Sequence, residues 1–301
     1  MSEPEPKLTA KDFPCEVLGL FDQFVHGGIS RRTFLDRCTA YVGTAAAAAG
    51  VLASLSPDFA RAQAVAPEDK RIRTRRVEIS SPEGSGSIKA YVAAPHDASA
   101  ARRRPVVLVI HENRGLNPHI EDIARRLAVD GYVTVAPDAL TKLGGYPGDE
   151  DKARALFGQL DQAKIGKDFI AAAHFALALP EGNGRLGAVG FCYGGGIVSM
   201  LAGAVPQLRA AVPFYGTPPA PEAIPAIKAE MLVNLAGNDS RIGAMWPPAE
   251  QALDKAQVRY HVFVYPGVEH GFNNNTTPRY DKAAASLAWE RTLALFKRTL
   301  G

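Results

Sequence analysis

From residue 77 to the C-terminus, short runs of apolar residues alternate with segments in which apolar residues recur at helical spacing. The run at 106–110 reads Val-Val-Leu-Val-Ile without a polar break, which is typical of a strand buried on both faces of a sheet. The predicted strands are 77–80, 87–93, 106–110, 132–136, 186–191, 210–215, 231–235 and 260–265. The predicted helices are 120–129, 168–179, 197–202 and 281–300.

Most of these strands are separated by segments of helical length, which favours right-handed crossovers between parallel strands. The first two predicted strands are the exception. They are joined by Pro-Glu-Gly-Ser-Gly at 82–86, a turn sequence that indicates a hairpin. The pattern therefore predicts an α/β fold with a mostly parallel, doubly wound sheet and helices on both faces.

Residues 1–64 follow a different pattern. The sequence Ser-Arg-Arg-Thr-Phe-Leu at 30–35 resembles the twin-arginine export motif of bacteria. An uncharged, alanine-rich stretch at 38–55 follows it, and Ala-Gln-Ala at 62–64 fits a small-residue cleavage site. This order predicts an export signal over 1–64, with residues 65–301 as a separate domain in the periplasm.

Two other interpretations of the N-terminal segment remain open. It is long and includes an acidic, partly amphipathic piece at 8–25, so it can also be a retained helical extension of a cytoplasmic protein, rich in alanine because alanine favours helix. A membrane anchor is the least favoured alternative, since alanine and glycine contribute little transfer energy per residue. We therefore expect no stable membrane insertion.

Composition and charge exclude several classes of function. The 301 residues are 47% hydrophobic and 22% charged, which is ordinary for a globular protein and excludes a disordered chain or a polytopic membrane protein. A net charge of +3 is too small to indicate nucleic-acid binding. The three cysteines fit neither a disulfide framework nor a zinc site, and no phosphate-binding loop is present. We expect neither a metal nor a cofactor.

One of these cysteines, Cys192, lies in a tight turn between a predicted strand and a predicted helix. Residues 190–194 read Gly-Phe-Cys-Tyr-Gly, the G-x-S-x-G nucleophile elbow with cysteine in place of serine. The glycines permit a strained turn that raises Cys192 above the sheet at the positive end of a helix, which favours the thiolate. The N–H of Tyr193 is then aimed at a developing oxyanion. The alternative is a glycine-rich junction with a buried, inert cysteine.

The order of residues downstream supports the catalytic interpretation. Asp239 follows the predicted strand at 231–235, and His270 follows the next one at 260–265. Nucleophile, acid and histidine come in this order in proteins with this elbow, and ligands bind at the carboxyl edge of open α/β sheets. The sequence predicts a Cys192–His270–Asp239 triad.

Further residues are placed near this edge by the same pattern. Tyr146, Trp246 and Phe272 lie in predicted loops, where they could line an apolar pocket or serve packing alone. His111 ends a buried strand, and we expect it to support the site. His174 lies among alanine, phenylalanine and leucine, so we expect it in the core.

These motifs resemble the dienelactone hydrolase family of α/β-hydrolases, also called carboxymethylenebutenolidases, over about residues 75–300. The resemblance rests on five stretches: 106–117, Ala-Pro-Asp at 136–138, Gly-Phe-Cys-Tyr-Gly-Gly-Gly at 190–196, Asp-Ser-Arg at 239–241 and 265–272. It implies an α/β-hydrolase fold.

The resemblance also implies roles for single residues. Cys192 matches the family nucleophile, His270 the base and Asp239 the acid that orients it. Glu112 matches a glutamate that contacts the nucleophile and helps to activate it when substrate binds. Asn113 matches the position whose N–H is the second oxyanion donor.

The sequence departs from the family at the arginines that hold a substrate carboxylate. After His270 it reads Gly-Phe-Asn-Asn-Asn, with no arginine before Arg279. Arg114 and Arg241 are candidates for that role. The resemblance thus implies a cofactor-independent hydrolase of small esters or lactones, although dienelactone itself need not be the substrate. The rival hypotheses are a thiol redox sensor or ligand-binding protein without turnover and a thiol-dependent acyl transferase; the oligomeric state stays open.

Overall fold

A computed structural model describes residues 8–301, and within that range eight strands form one twisted sheet in the order β1-β2-β4-β3-β5-β6-β7-β8. The strands are β1 (Ile72–Ser81), β2 (Gly86–Pro95), β3 (Arg104–Ile110), β4 (Val133–Pro137), β5 (Gly182–Phe191), β6 (Leu208–Phe214), β7 (Glu230–Ala236) and β8 (Tyr260–Tyr265). β1 pairs with β2 and β2 with β4 in antiparallel register, and the other pairs are parallel. The predicted mostly parallel sheet and the hairpin are confirmed.

The chain before the sheet is helical. Its elements are α1 (Cys15–Val25), α2 (Arg31–Val42), α3 (Ala45–Leu55) and the single turn α4 (Phe59–Ala62). Ser30 begins α2 by accepting a hydrogen bond from the N–H of Thr33, and Gly43 ends it with a left-handed φ of 85°. Thr44 caps the alanine-rich α3 by accepting from the N–H of Ala47.

The remaining helices accompany the sheet. They are α5 (Pro118–Val129), α6 (Glu150–Phe157), α7 (Gln162–Leu177), α8 (Tyr193–Ala204), α9 (Ser240–Gly243), α10 (Trp246–Lys255) and α11 (Lys282–Leu300). Short 3-10 turns occur at Ala10–Asp12, Thr141–Leu143 and Pro221–Ala226. The sequence pattern missed α6, α9 and α10 because they are short or interrupted by polar residues and prolines.

The core consists of two apolar layers, one on each face of the sheet. α7, α8 and α10 cover one face, where Phe169, Leu201 and Leu253 are fully buried. α5 and α11 cover the other face, with Ile123 and Phe296 at its centre. Each layer removes a continuous apolar surface from water and thereby fixes the direction in which the strand ends point.

The N-terminal helices form a third apolar cluster of their own around Phe21, Phe24 and Phe34. No single helix within residues 8–301 is long and apolar enough to cross a membrane. α2 and α3 reach the required length only as a pair, and that pair is bent by 112°. Helices cover most of residues 10–62. Export and a retained helical extension both stay predictions.

The link from these helices to the sheet is docked along its length. The N–H groups of Ala64 and Val65 donate to the buried carboxylate of Asp122 at 3.1 and 2.8 Å. Asn275 Nδ2 donates to the carbonyl of Ala62 at 2.7 Å. In the Ala-Gln-Ala sequence proposed for cleavage, the backbone groups of Ala62 and Ala64 are thus bonded to the loop after β8 and to α5, while Gln63 and Ala64 are exposed.

Candidate active site

The carboxyl ends of four parallel strands bring the predicted site residues to one edge of the sheet. Glu112 follows β3, Cys192 follows β5, Asp239 follows β7 and His270 follows β8. β5 lies between β3 and β6, and β7 lies between β6 and β8, so loops distant in sequence meet above the sheet. The order of these residues in the sequence could not by itself show that their loops lie close together.

The turn at Cys192 has the strained geometry that the motif predicts. Cys192 has φ 55° and ψ −114°, a backbone conformation that residues with a Cβ rarely adopt. A Cβ on Gly190 would lie 2.2 Å from the carbonyl oxygen of Gly194, and one on Gly194 would lie 2.4 Å from that of Ile110. Only glycine fits at either position, because the strand, the turn and the helix approach each other so closely.

His270 is held by the carboxylate predicted for it. Its Nδ1 lies 2.5 Å from Asp239 Oδ2, and both side chains are buried. Asp239 Oδ1 also accepts from the N–H of Ile242 at 3.2 Å, so the carboxylate caps α9. The other ring nitrogen of His270, Nε2, is buried and has no hydrogen-bond partner within residues 8–301. It is free to exchange a proton with a neighbour.

A second histidine, which the sequence analysis missed, approaches the same sulfur. His26 follows the last residue of α1, and its Nε2 lies 3.4 Å from Cys192 Sγ. Its Nδ1 lies 2.8 Å from the carbonyl oxygen of Asp22 and 3.2 Å from the Asp22 carboxylate. The signal in the sequence was an aspartate four residues before a histidine at a helix end that Gly27 and Gly28 mark.

Cys192, His270 and His26 change each other's pKa values. Burial opposes ionisation of Cys192, but His270 and His26 outweigh it, and the pKa of the thiol falls well below its usual value. Burial likewise opposes protonation of the histidines. The thiolate and the aspartates outweigh it there, so that the pKa of His270 rises and that of His26 rises to about 10. These shifts together favour a thiolate beside an imidazolium.

His26, Cys192 and His270 are also residue types that bind metals, and their ligand atoms lie within 4.8 Å of one another. Such a set is compatible with a zinc ion. The Arg241 guanidinium, 3.2 Å from His26 Nε2, adds positive charge at the same point. This positive charge would repel a cation bound to the three side chains.

The loop after β3 carries the next three predicted residues. Glu112 Oε2 accepts a hydrogen bond from Asn274 Nδ2 at 3.0 Å; burial and, next, the nearby Cys192 thiolate raise its pKa. The Asn113 and Arg114 side chains donate to the carbonyl of Val25, at 2.8 and 3.3 Å. Two of the predicted site residues thus hold the end of α1.

Tyr193 begins α8, so its N–H is one of those that have no acceptor within the helix. The side chain points elsewhere and donates from its hydroxyl to Gln162 at 2.8 Å. His111 supports this region from below. Its Nε2 accepts from the N–H of Ala139 and its Nδ1 faces the carbonyl of Glu112.

Two cavities meet at Cys192. One, of about 360 Å³, includes Glu112 and two predicted pocket residues, Arg114 and Tyr146, in its wall. The other, of about 450 Å³, is more apolar and includes Ile197 and the predicted Arg241. Cys192, His26 and His270 border both.

Three placements from the sequence are corrected by the structure. Trp246 is fully buried and donates from Nε1 to the carbonyl of Gly216, and Phe272 is fully buried against Tyr265, so neither lines a cavity at the site. Trp246 begins α10 and Phe272 lies in the loop after β8, and the residue pattern does not show which side of either segment faces the core. His174, expected in the core, is exposed because it lies on the outer face of α7.

A cysteine elbow at the carboxyl edge of this sheet, with an acid and a histidine on later loops, defines the α/β-hydrolase class. A family model described as "Dienelactone hydrolase family" matches residues 88–300. The chain belongs to the dienelactone hydrolase family, as its motifs indicated. A second model, described as "YqhI-like", matches residues 5–42, the segment that contains α1 and His26.

Relatives agree with this assignment. A Synechocystis protein named "Putative carboxymethylenebutenolidase" is 33% identical over 247 residues, which cover 76% of this chain and 98% of that protein. An Escherichia coli protein named "Putative hydrolase fragment YghX" is 46% identical over 107 residues, which cover 36% of this chain and 90% of that protein. A structure titled "Crystal Structure of Putative Dienelactone Hydrolase from Klebsiella pneumoniae" superposes with a TM-score of 0.65 at 30% identity, covering 75% of this chain and 99% of that one.

Proposed function

We propose that this protein hydrolyses small, uncharged esters or lactones through a covalent thioester on Cys192. The observation that carries the proposal is that Cys192, whose lowered pKa favours the thiolate, lies at the edge of the sheet beside His270, which the buried carboxylate of Asp239 orients. A thiolate is a strong nucleophile at neutral pH, and the elbow presents it to two cavities.

The proposed reaction has two stages. The Cys192 thiolate attacks the carbonyl carbon, and the N–H groups of Tyr193 and Asn113 stabilise the oxyanion. The C–O bond breaks, the leaving oxygen takes a proton from an imidazolium beside the sulfur, and a thioester remains. His270 then removes a proton from water, the hydroxide attacks the thioester, and the sulfur departs as thiolate.

Glu112 has a separate role in this proposal. Its carboxyl group borders the same cavity as Cys192, and the thiolate contributes to the rise in its pKa. A carboxylate close to a thiolate destabilises it, whereas a protonated Glu112 does not. We infer that substrate entering the cavity changes the protonation of Glu112 and thereby changes how stable the Cys192 thiolate is.

The substrate class follows from the arginines near the site. Arg114 and Arg154 donate to carbonyl oxygens at the end of α1, at 3.3 and 3.1 Å. Arg241 and Arg279 lie 3.9 and 3.7 Å from the Asp22 carboxylate. Each guanidinium thus has an oxygen of α1 within 4 Å, although Arg279 Nε and Nη1 make no hydrogen bond within residues 8–301. A substrate carboxylate would compete with those partners, so we propose that an uncharged acyl group is preferred.

A substrate panel tests this function. We expect the full-length protein to hydrolyse small neutral esters and enol-lactones with a kcat/KM at least about tenfold above that for the same compounds bearing a carboxylate, a difference of about 1.4 kcal/mol. Product analysis with an added alcohol separates hydrolysis from acyl transfer. Preference for the carboxylate-bearing member of each pair contradicts the proposed substrate class, and no turnover of any member contradicts the function.

We also propose that the working enzyme keeps its N-terminal helices, which is the second interpretation of residues 1–64. Its support is the docked link at Ala64 and Val65 and the contacts of α1 with the site. Intact mass spectrometry of protein purified from fractionated cells of its own host should find the helices on the active species. An active periplasmic species beginning at Val65 supports the export interpretation instead.

A further inference from the structure

Cys192 is approached by two aspartate–histidine pairs, one from each end of the chain. Asp239 and His270 come from the sheet domain, and Asp22 and His26 come from α1. The two imidazole rings are 4.6 Å apart and perpendicular. A triad needs only one of these pairs, so the second requires an explanation.

The second pair is held in place by polar contacts at the end of α1. The carbonyl of Val25 accepts from Asn113 and Arg114, and that of Phe24 accepts from Arg154. The Arg154 guanidinium also lies 3.7 Å above the Phe24 ring. Cationic donors at a helix C-terminus satisfy its free carbonyls and its partial negative charge. His26 follows directly on this anchored turn.

Apolar packing holds the same turn from the other side. Phe21, Phe24 and Phe34 are buried, with ring centroids 5.6 to 6.3 Å apart. This cluster ties α1 to α2, and the guanidinium groups of Arg154 and Arg279 lie over the Phe24 and Phe21 rings at 3.7 and 5.1 Å. α1 is therefore a fixed wall of the site.

The wall leaves space on both sides. His26 borders the cavity of about 360 Å³ and the one of about 450 Å³, and Cys192 opens into both. An ester bound at the sulfur can place its acyl group in one cavity and its alcohol portion in the other. His26, which borders both cavities, is then next to the leaving oxygen.

We propose that His26, oriented by Asp22, is the acid that protonates the leaving oxygen during acylation, while His270 activates water during deacylation. This inference rests on the proposed ester or lactone hydrolysis. It assigns separate proton-transfer steps to the two histidines, and it makes the N-terminal segment a catalytic part of the enzyme.

The protons balance over one turnover. The S–C bond forms, the C–O bond to the alcohol breaks, and His26 Nε2 gives its proton to the departing oxygen. Water then gives a proton to His270, hydroxide forms the new C–O bond, and the C–S bond breaks with its electron pair on the sulfur. The carboxylic acid product returns one proton to His26, and His270 releases one to solvent.

The charges around His26 suit an acid of this kind. Asp22 from its own helix and the thiolate favour the imidazolium, whose pKa is raised to about 10. His270 and Arg241 face His26 with positive charge, and Arg279 lies 3.7 Å from the Asp22 carboxylate. Arg241 Nη2, at 3.2 Å, can donate to Nε2 once the proton has left. The thiolate that favours the imidazolium is consumed by acylation, so His26 becomes a stronger acid at the step that needs one.

Leaving groups of different basicity test this assignment in the full-length protein. The nitrophenolate of a 4-nitrophenyl ester leaves without a proton, whereas the ethoxide of the ethyl ester of the same acid must be protonated as it leaves. In His26→Gln we expect kcat/KM to fall about 100-fold or more for the ethyl ester, and less than about fivefold for the nitrophenyl ester. Gln keeps a hydrogen-bonding side chain at the end of α1, so the wall stays in place.

His174→Gln is the matched control, because His174 is exposed on α7 away from the site, and it should leave both rates unchanged. Equal losses for the two esters, or no loss for either, overturn the assignment of His26 while the proposed function stands. If the unmodified protein hydrolyses neither ester, the proposed function fails and the assignment fails with it.

Discussion

Cys192→Ala should remove ester hydrolysis almost completely, with kcat lowered about 10⁵-fold or more. Without the sulfur no thioester forms, and the remaining oxyanion donors give only weak catalysis of direct attack by water. Alanine removes little volume from a half-buried position, so the thermal transition should change little. The measurements are initial rates on a neutral ester and a melting curve.

Cys15→Ser is the matched control because Cys15 is also a free thiol, exposed on α1. Iodoacetamide should inactivate the unmodified protein nearly as fast at pH 6 as at pH 8, since a thiol with a lowered pKa stays ionised as the pH falls. An ordinary thiol would slow about tenfold per pH unit. Undiminished hydrolysis by Cys192→Ala contradicts the mechanism. Rapid oxidation of Cys192 by peroxide, in a protein without hydrolysis, favours the redox-sensor hypothesis.

Asp239→Asn should lower kcat by about 10³–10⁴-fold. The buried carboxylate fixes the His270 tautomer and stabilises its protonated form, and an amide does neither as well. Deacylation depends on His270, whereas acylation keeps His26. The thioester should therefore accumulate, and intact mass spectrometry during turnover should show the added acyl mass.

Asp254→Asn is the control for this substitution. Asp254 accepts a hydrogen bond from Tyr260 at the far end of β8, away from Cys192. Its replacement by asparagine should leave the rate unchanged. A rate for Asp239→Asn within about twofold of the unmodified protein would show that His270 does not need its carboxylate. Loss of rate without thioester accumulation would instead place the damage in acylation.

Much of the fold could be predicted because its information is local. A run such as 106–110 is apolar at every position only where both faces of a strand are covered, and β3 confirms it. The elbow could be predicted for a similar reason, since Gly190 and Gly194 have no room for a side chain. Asp239 and His270 were found because each follows a recognisable strand.

The parts of the site that could not be predicted depend on contacts between residues far apart in the sequence. His26 lies 166 positions before Cys192, in a segment whose arginine pair and alanines indicated export. Nothing in its neighbourhood specifies a partner in the sheet domain. Trp246 and Phe272 were placed near a pocket because the sequence locates a loop but not the side of it that faces the core.

The sequence by itself determined the alternation of strands and helices, the strained cysteine turn and the order of acid and histidine, because each is recognised from short local patterns of residues. The tertiary structure alone decided that α1 packs over the sheet edge and brings a second histidine to the sulfur. That contact depends on the burial of an aromatic cluster and on four arginines that meet one helix end. Their positions relative to each other exist only once the whole chain is folded.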